Sequence, residues 1–180
     1  QIGLRTFFNT VEKVINPIHS LNVIIGVNHR TAMERLIQLL PKSGFETAYI
    51  VQGIEGSEDL PIFQTSAIRK VTSWGDEAST IDPATFGFSG SPVEKMTKQE
   101  QLRTVLRIIE GDDSPDIGNE REHVVFNAGL RLYWFDKVES YEEGFQLARS
   151  LLQRKEAKKL LEKWRTMSTC SEFPARIRLN

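Results

Sequence analysis

Cysteine is nearly absent from this sequence of 180 residues: Cys170 stands alone, so an intramolecular disulfide and a thiolate metal cluster are both excluded. Histidine is scarce as well. His19, His29 and His123 lack the short helical spacing that turns two imidazoles toward one metal ion. Long apolar runs are missing too, the longest lying within Leu21–Val27, far short of the roughly 20 residues that cross a bilayer. No charge of one sign dominates, with 23 Lys+Arg against 24 Asp+Glu, so no general attraction to polyanions is expected. No basic segment followed by an apolar one opens the chain, which makes the cytoplasm the expected compartment. An initiator methionine is also missing. Gln1 leads into Ile2-Gly3-Leu4-Arg5-Thr6, which reads as interior sequence, so either processing or further upstream chain is expected.

What is present, 39% hydrophobic and 26% charged residues, is the composition of one globular unit with a sizeable core. Leu4 to Ile15 has helical spacing and stops before Asn16-Pro17, because the residue preceding proline avoids the helical region. Leu21–Val27, rich in branched residues and apolar on both faces, predicts a central strand of a helix-covered parallel sheet. A helix follows, capped by Asn28 or by Thr31 with Glu34 in a Thr-x-x-Glu box, and buried through Met33, Leu36, Ile37 and Leu40. Thr47–Val51 is a second buried strand, which completes a right-handed parallel crossover unit. Ser66–Thr72 and Glu77–Asp82 flank Ser73-Trp74-Gly75-Asp76 and predict an antiparallel flap.

From Thr97 onward only helices are predicted. Thr97-x-x-Glu100 and Ser140-x-x-Glu143 are capping boxes, the second leading into a stripe of Phe145, Ala148 and Leu152. The helix from Glu120 to Phe135 is expected to bury Val124, Ala128, Leu132 and Phe135. A last helix, Lys155 to Thr166, is expected to bury Leu160, Leu161 and Trp164, and Trp134 is assigned to the core as well. The fold class is therefore α/β: a parallel sheet with crossover helices, an antiparallel flap and a carboxyl-terminal helical cluster.

The sharpest chemical feature is Gly53-Ile54-Glu55-Gly56-Ser57-Glu58-Asp59, directly after the second strand. Open α/β sheets bind ligands at the carboxyl ends of their strands, where glycines admit a phosphate and paired carboxylates can hold Mg²⁺. A solvated surface turn accounts for the same spacing, and on spacing alone it is the preferred reading. Asn127, within an apolar helix, is expected to bond backbone across a helix pair rather than to catalyse. Trp74 is expected as an ordinary exposed aromatic at the hairpin tip.

Several segments, in order along the chain, share a pattern. Gly3-Leu4-Arg5-Thr6-Phe7-Phe8-Asn9, Asn16-Pro17 and Gly26-Val27 resemble the Gly-Ile-Arg-Thr-x-x-Asn, Asn-Pro and Gly-Val motifs of anthranilate phosphoribosyltransferases. Gly53 to Asp59 is similar to that family's Gly-x-Asp-Gly-x-Asp-Glu, and Pro83-Ala84-Thr85-Phe86-Gly87 to its Pro-x-x-Phe-Gly. Asn127-Ala128-Gly129-Leu130-Arg131-Leu132-Tyr133 and Glu143-Gly144-Phe145-Gln146-Leu147-Ala148 resemble its Asn-Ala-x-x-x-Leu-Tyr and Glu-Gly-x-x-x-Ala helices.

The resemblance implies a nucleoside phosphorylase-like fold and transfer of phosphoribose from phosphoribosyl pyrophosphate (PRPP) to anthranilate, in tryptophan biosynthesis, with Mg²⁺. It implies Glu58 and Asp59 as metal ligands and Gly53 and Gly56 as substrate-binding positions. No catalytic side chain is assigned. The family order of the two acids is Asp then Glu, whereas Glu58 precedes Asp59 here. Residues 1–180 correspond to one unit, the later part of a larger domain. The family's pyrophosphate loop, its Lys-His-Gly-Asn-type segment, the arginine near anthranilate and the small helical domain that carries its homodimer surface all precede the matched part. By itself the chain is thus expected to lack catalysis.

A nucleic-acid-binding branch of the same superfamily supplies the alternative. Its surface here would be Arg154, Lys155, Lys158, Lys159, Lys163, Arg165, Arg176 and Arg178, interspersed with Glu156, Glu162 and Glu172. A solvated face whose cations suit the helix dipole accounts for the same residues and is the stronger reading.

Overall fold

The computed structural model describes residues 12–92 and 95–169. A four-stranded sheet has the order β1 (Asn22–Gly26), β2 (Thr47–Val51), β3 (Ser66–Thr72), β4 (Gly75–Ile81). Helix α1 (Arg30–Leu39) crosses from β1 to β2, which run parallel with Asn22 opposite Thr47 and Gly26 opposite Val51. β3 then pairs antiparallel with β2, and β4 with β3. The expected hairpin is therefore present, and it extends the sheet through β2.

Helices α2 (Lys98–Ile109), α3 (Gly118–Trp134), α4 (Tyr141–Gln153) and α5 (Glu156–Thr169) follow. β2 is one of the two interior strands and the one that joins the parallel pair to the hairpin. Its side chains alternate between two cores because strand side chains have a period of two. Ala48 and Ile50 join Ile25, Met33, Leu36 and Leu40 beneath α1. Tyr49 and Val51 enter the larger core with Leu60, Val125, Phe126, Leu130, Trp134 and Phe145 on the opposite face. Stacking of Tyr49 on Trp134, with ring centroids 4.7 Å apart, ties the sheet to α3. Burial pushes the Tyr49 phenol up to about 12.

Local signals predicted their elements well. Thr97 accepts a bond from the Glu100 amide while Glu100 accepts one from the Thr97 amide, a complete capping box. Ser140 caps α4 through the Glu143 amide, and Phe145, Ala148 and Leu152 are all buried. α3 and α4 approach closely at Gly129 and Gly144, where an added Cβ would overlap the partner helix.

Four expectations are corrected, and a fifth is largely untested. β1 lies at the edge of the described sheet, because apolar faces report coverage above and below a strand and not its lateral neighbours. The Thr31 box does not form: His29 is the N-cap without a side-chain bond, and Glu34 pairs with Arg30 at 3.1 Å. Helix α3 buries a wider face than expected: Ala128, Leu132 and Phe135 pack against the core and Trp134 is in it, but Val124 is exposed and His123, Val125, Phe126, Asn127, Gly129 and Leu130 are the more deeply buried. On α5, Leu160 and Trp164 are 48% and 57% exposed, since Ala157, near the helix start, is what joins the main core. The expected helix from Leu4 falls largely outside the described residues, and its described end, 12–14, is a turn.

Candidate functional site

β2 ends at Val51, and the following loop folds back over the end of β1. Within it, the Ile54 amide donates to the Asp59 carbonyl at 2.8 Å and the Ser57 amide to the Ile54 carbonyl at 2.9 Å. Glu55 (φ 52°) and Gly56 (φ 81°) are both left-handed, which reverses the chain within two residues. The Ser57 carbonyl lies against both Gly26 and Gly53, and a Cβ on either would overlap it. A Cβ on Gly56 would overlap the Asn28 side chain. The glycines of the loop are thus needed for its own compaction against β1, a use the sequence reading did not assign to them.

Two side chains of α3 anchor the far end of the loop. Asn127 Oδ1 accepts from the Leu60 amide at 2.8 Å, while its Nδ2 donates to the Leu60 carbonyl at 2.9 Å and to the His123 carbonyl at 3.0 Å. Both Asn127 and Leu60 are buried, so these bonds form where water cannot replace them. Asn127 bonds backbone as expected, but its partners are Leu60 after the loop and its own helix rather than a neighbouring helix, because the chain leaving the loop is what meets this face of α3. Arg131, one helical turn further on, bonds the Asn127 carbonyl through Nη1 at 3.0 Å. Its Nη2 reaches Asp59 Oδ1 at 2.8 Å and the Glu58 carbonyl at 3.3 Å. In the sequence Arg131 stands out only as part of the segment Asn127–Tyr133. The available signal was a cation four residues after Asn127, hence on the same helix face.

On the β1 side, Lys13 Nζ donates to the Gly26 carbonyl at 2.6 Å. Lys13 thus ties the segment before β1 to the end of that strand, while the loop itself is held by Asn127 and Arg131 of α3. Glu58 and Asp59 are both exposed, adjacent, and at the carboxyl end of the parallel pair. Among the described residues no third Asp, Glu, His or Cys converges with them. Two hard carboxylates that leave other positions to water and phosphate are the donor set Mg²⁺ takes at nucleotide-type sites, so the residues present fit that ion. A cleft of about 480 Å³ lies beside the loop, between α1 and the hairpin, lined by Arg30, Met33, Gln52, Arg69 and Thr80 among others. The two carboxylates are not among its walls.

Residues 1–158 match the family described as "Glycosyl transferase family, a/b domain". The chain belongs to this family. Anthranilate phosphoribosyltransferase of Persephonella marina is 28% identical over 171 residues, 93% of this chain and 50% of the relative. The anthranilate phosphoribosyltransferase of Thermus thermophilus superposes with a TM-score of 0.69 at 24% identity, covering 90% of this chain and 47% of that one. The Saccharomyces cerevisiae enzyme in complex with PRPP and Mg gives 0.73 at 18% identity, covering 89% and 46%. The α/β architecture of the family is thus present, and the chain spans about half the length of the relatives it matches.

The nucleic-acid alternative gains nothing from the structure. Lys158 pairs with Glu110 at 2.9 Å and Lys159 with Glu156 at 2.8 Å, while Arg176 and Arg178 lie outside the described residues. Among the described residues no helix is long and apolar enough to cross a membrane.

Proposed function

We propose that this chain forms part of a phosphoribosyltransferase that moves phosphoribose from PRPP to anthranilate. The observation that carries the reading is the position of Glu58 and Asp59: adjacent and exposed, on a loop closing the carboxyl end of the parallel β1–β2 pair, within the segment that matches the family. Ligands of open α/β sheets bind at that end.

In this reading Glu58 and Asp59 hold Mg²⁺ together with water and the phosphates of PRPP. When bound, the ion offsets charge on the departing pyrophosphate. Gly53 and Gly56 contribute by letting the loop close on itself and on Asn28, which fixes the backbone that the substrate would meet. Asn127 fixes the loop's far end, so the carboxylates need not be ordered anew for each substrate. No side chain of the described residues is assigned to proton transfer.

The test is Mg²⁺-dependent phosphoribosyl transfer to anthranilate by the longer protein, before and after replacing Glu58 and Asp59 together with alanine. A loss of at least about a hundredfold is expected, the scale on which removing a positioned electrostatic group acts. Undiminished transfer by the double variant would refute the assignment.

A further inference from the structure

We propose that Arg131 is the internal cation of the 53–59 loop, a positioning residue whose guanidinium and a divalent metal ion are alternative partners of the Asp59 carboxylate. The inference rests on the reading of Glu58 and Asp59 given above. Position 131 is one of the three unspecified positions in the Asn-Ala-x-x-x-Leu-Tyr motif.

The geometry sets the guanidinium independently of the loop. Nη1 is tied to the Asn127 carbonyl on the arginine's own helix, which aims Nη2 outward. Nη2 then meets Asp59 Oδ1 at 2.8 Å and the Glu58 carbonyl at 3.3 Å. Both donations pull the two acidic residues toward α3. The Asp59 and Arg131 side chains are 60% and 33% exposed, so an ion can reach the pair from solvent.

A metal ion on Oδ1 would share that atom with an arginine nitrogen, two cations within about 4 Å of each other, which is repulsive even in a well-solvated site. Mg²⁺ also demands near-ideal octahedral angles at about 2.0–2.1 Å, which a carboxylate pinned by a second donor does not freely supply. With no third acidic, histidine or cysteine ligand converging among the described residues, partial loss of Asp59 removes a large share of the protein's contribution to the ion. Arg131 therefore keeps the loop ordered without metal and weakens metal binding until the phosphates of a substrate add their own charge.

The experiment measures Mn²⁺ binding to the full chain by electron paramagnetic resonance of the free ion. It compares wild type with Arg131→Met, which keeps a comparable apolar stem, and Arg131→Lys, which keeps the charge. Arg131→Met is expected to bind Mn²⁺ about two- to fivefold more tightly, the range an exposed ion pair commands, and Arg131→Lys to stay near wild type. Without metal, amide exchange at Glu58 to Leu60 is expected to quicken in Arg131→Met. A merely structural arginine would give the opposite sign, because a disordered loop binds metal less well. Equal or weaker binding by Arg131→Met overturns the role of Arg131 and leaves the carboxylate reading standing. Binding by none of the three proteins refutes the carboxylate reading and overturns the competition with it.

Discussion

Replacing Asn127 with alanine removes three hydrogen bonds at one buried point, two of them to the backbone of Leu60. Leu60 is fully buried, so its amide and carbonyl are left without a partner and without access to water. Each orphaned buried group costs about 1–3 kcal/mol, and two orphaned together come to about 3 kcal/mol once partial relaxation is allowed. In a chain of this size that corresponds to a fall in Tm of about 6–12 °C. Urea titration should show a lower midpoint at unchanged slope, since the surface exposed on unfolding is the same. Amide exchange at Leu60 should quicken most, while protection of β2 residues such as Ile50 falls only in step with global stability. Asn127→Asp is a useful second variant: it can still accept from the Leu60 amide but no longer donates to the carbonyl, and it carries a charge into a dry site. A change below about 0.5 kcal/mol for Asn127→Ala would show that the loop is held by packing and would refute the clamp.

Two further outcomes follow from the same geometry. Gly53 has ordinary extended backbone, so Gly53→Ala tests only the close approach of the Ser57 carbonyl, whereas Gly44 (φ 78°) has open space about it and tests only backbone conformation. Gly53→Ala should cost about 1–3 kcal/mol and Gly44→Ala about 1 kcal/mol by urea titration, and an order reversed from this would count against the packed loop. The Ser114 hydroxyl and amide, followed by Arg107, hold the Asp112 carboxyl down at about 2, below its unfolded value near 3.9. Its contribution is therefore fully present above about pH 4 and fades as pH falls toward 2. The gap in Tm between wild type and Asp112→Asn should close over that interval, and a gap independent of pH would rule the linkage out.

Those features of the fold that depend on near neighbours were legible in the sequence. The capping box at Thr97 and the Ser140 cap join residues three apart, although Glu143 returns to the Glu139 amide and so leaves the second box incomplete, and the β3–β4 hairpin turns on Ser73 and Trp74. Features that depend on what lies opposite were not. Helix α3 contains apolar residues around most of its circumference, so periodicity could not select its buried face, and packing against β2 and α4 selected Val125, Phe126 and Leu130. The Thr31 box had the right spacing, yet Glu34 found Arg30 on the same helix surface instead. Helix α5 has an amphipathic pattern, but a pattern states that a face is apolar without naming what covers it.

The candidate site divides in the same way. Order along the chain determined that two glycines and the adjacent pair Glu58 and Asp59 follow the second strand, because strand, turn and acidic pair are contiguous in residues 47–59. Tertiary structure alone decided how that loop is held. Asn127 and Leu60 are separated by 67 positions, and Arg131 and Asp59 by 72. No local propensity links residues that far apart. Their hydrogen bonds exist because α3 packs against the chain that follows β2: Asn127 satisfies the buried Leu60 backbone, which would be orphaned without it, and Arg131, a turn further on, reaches the exposed Asp59.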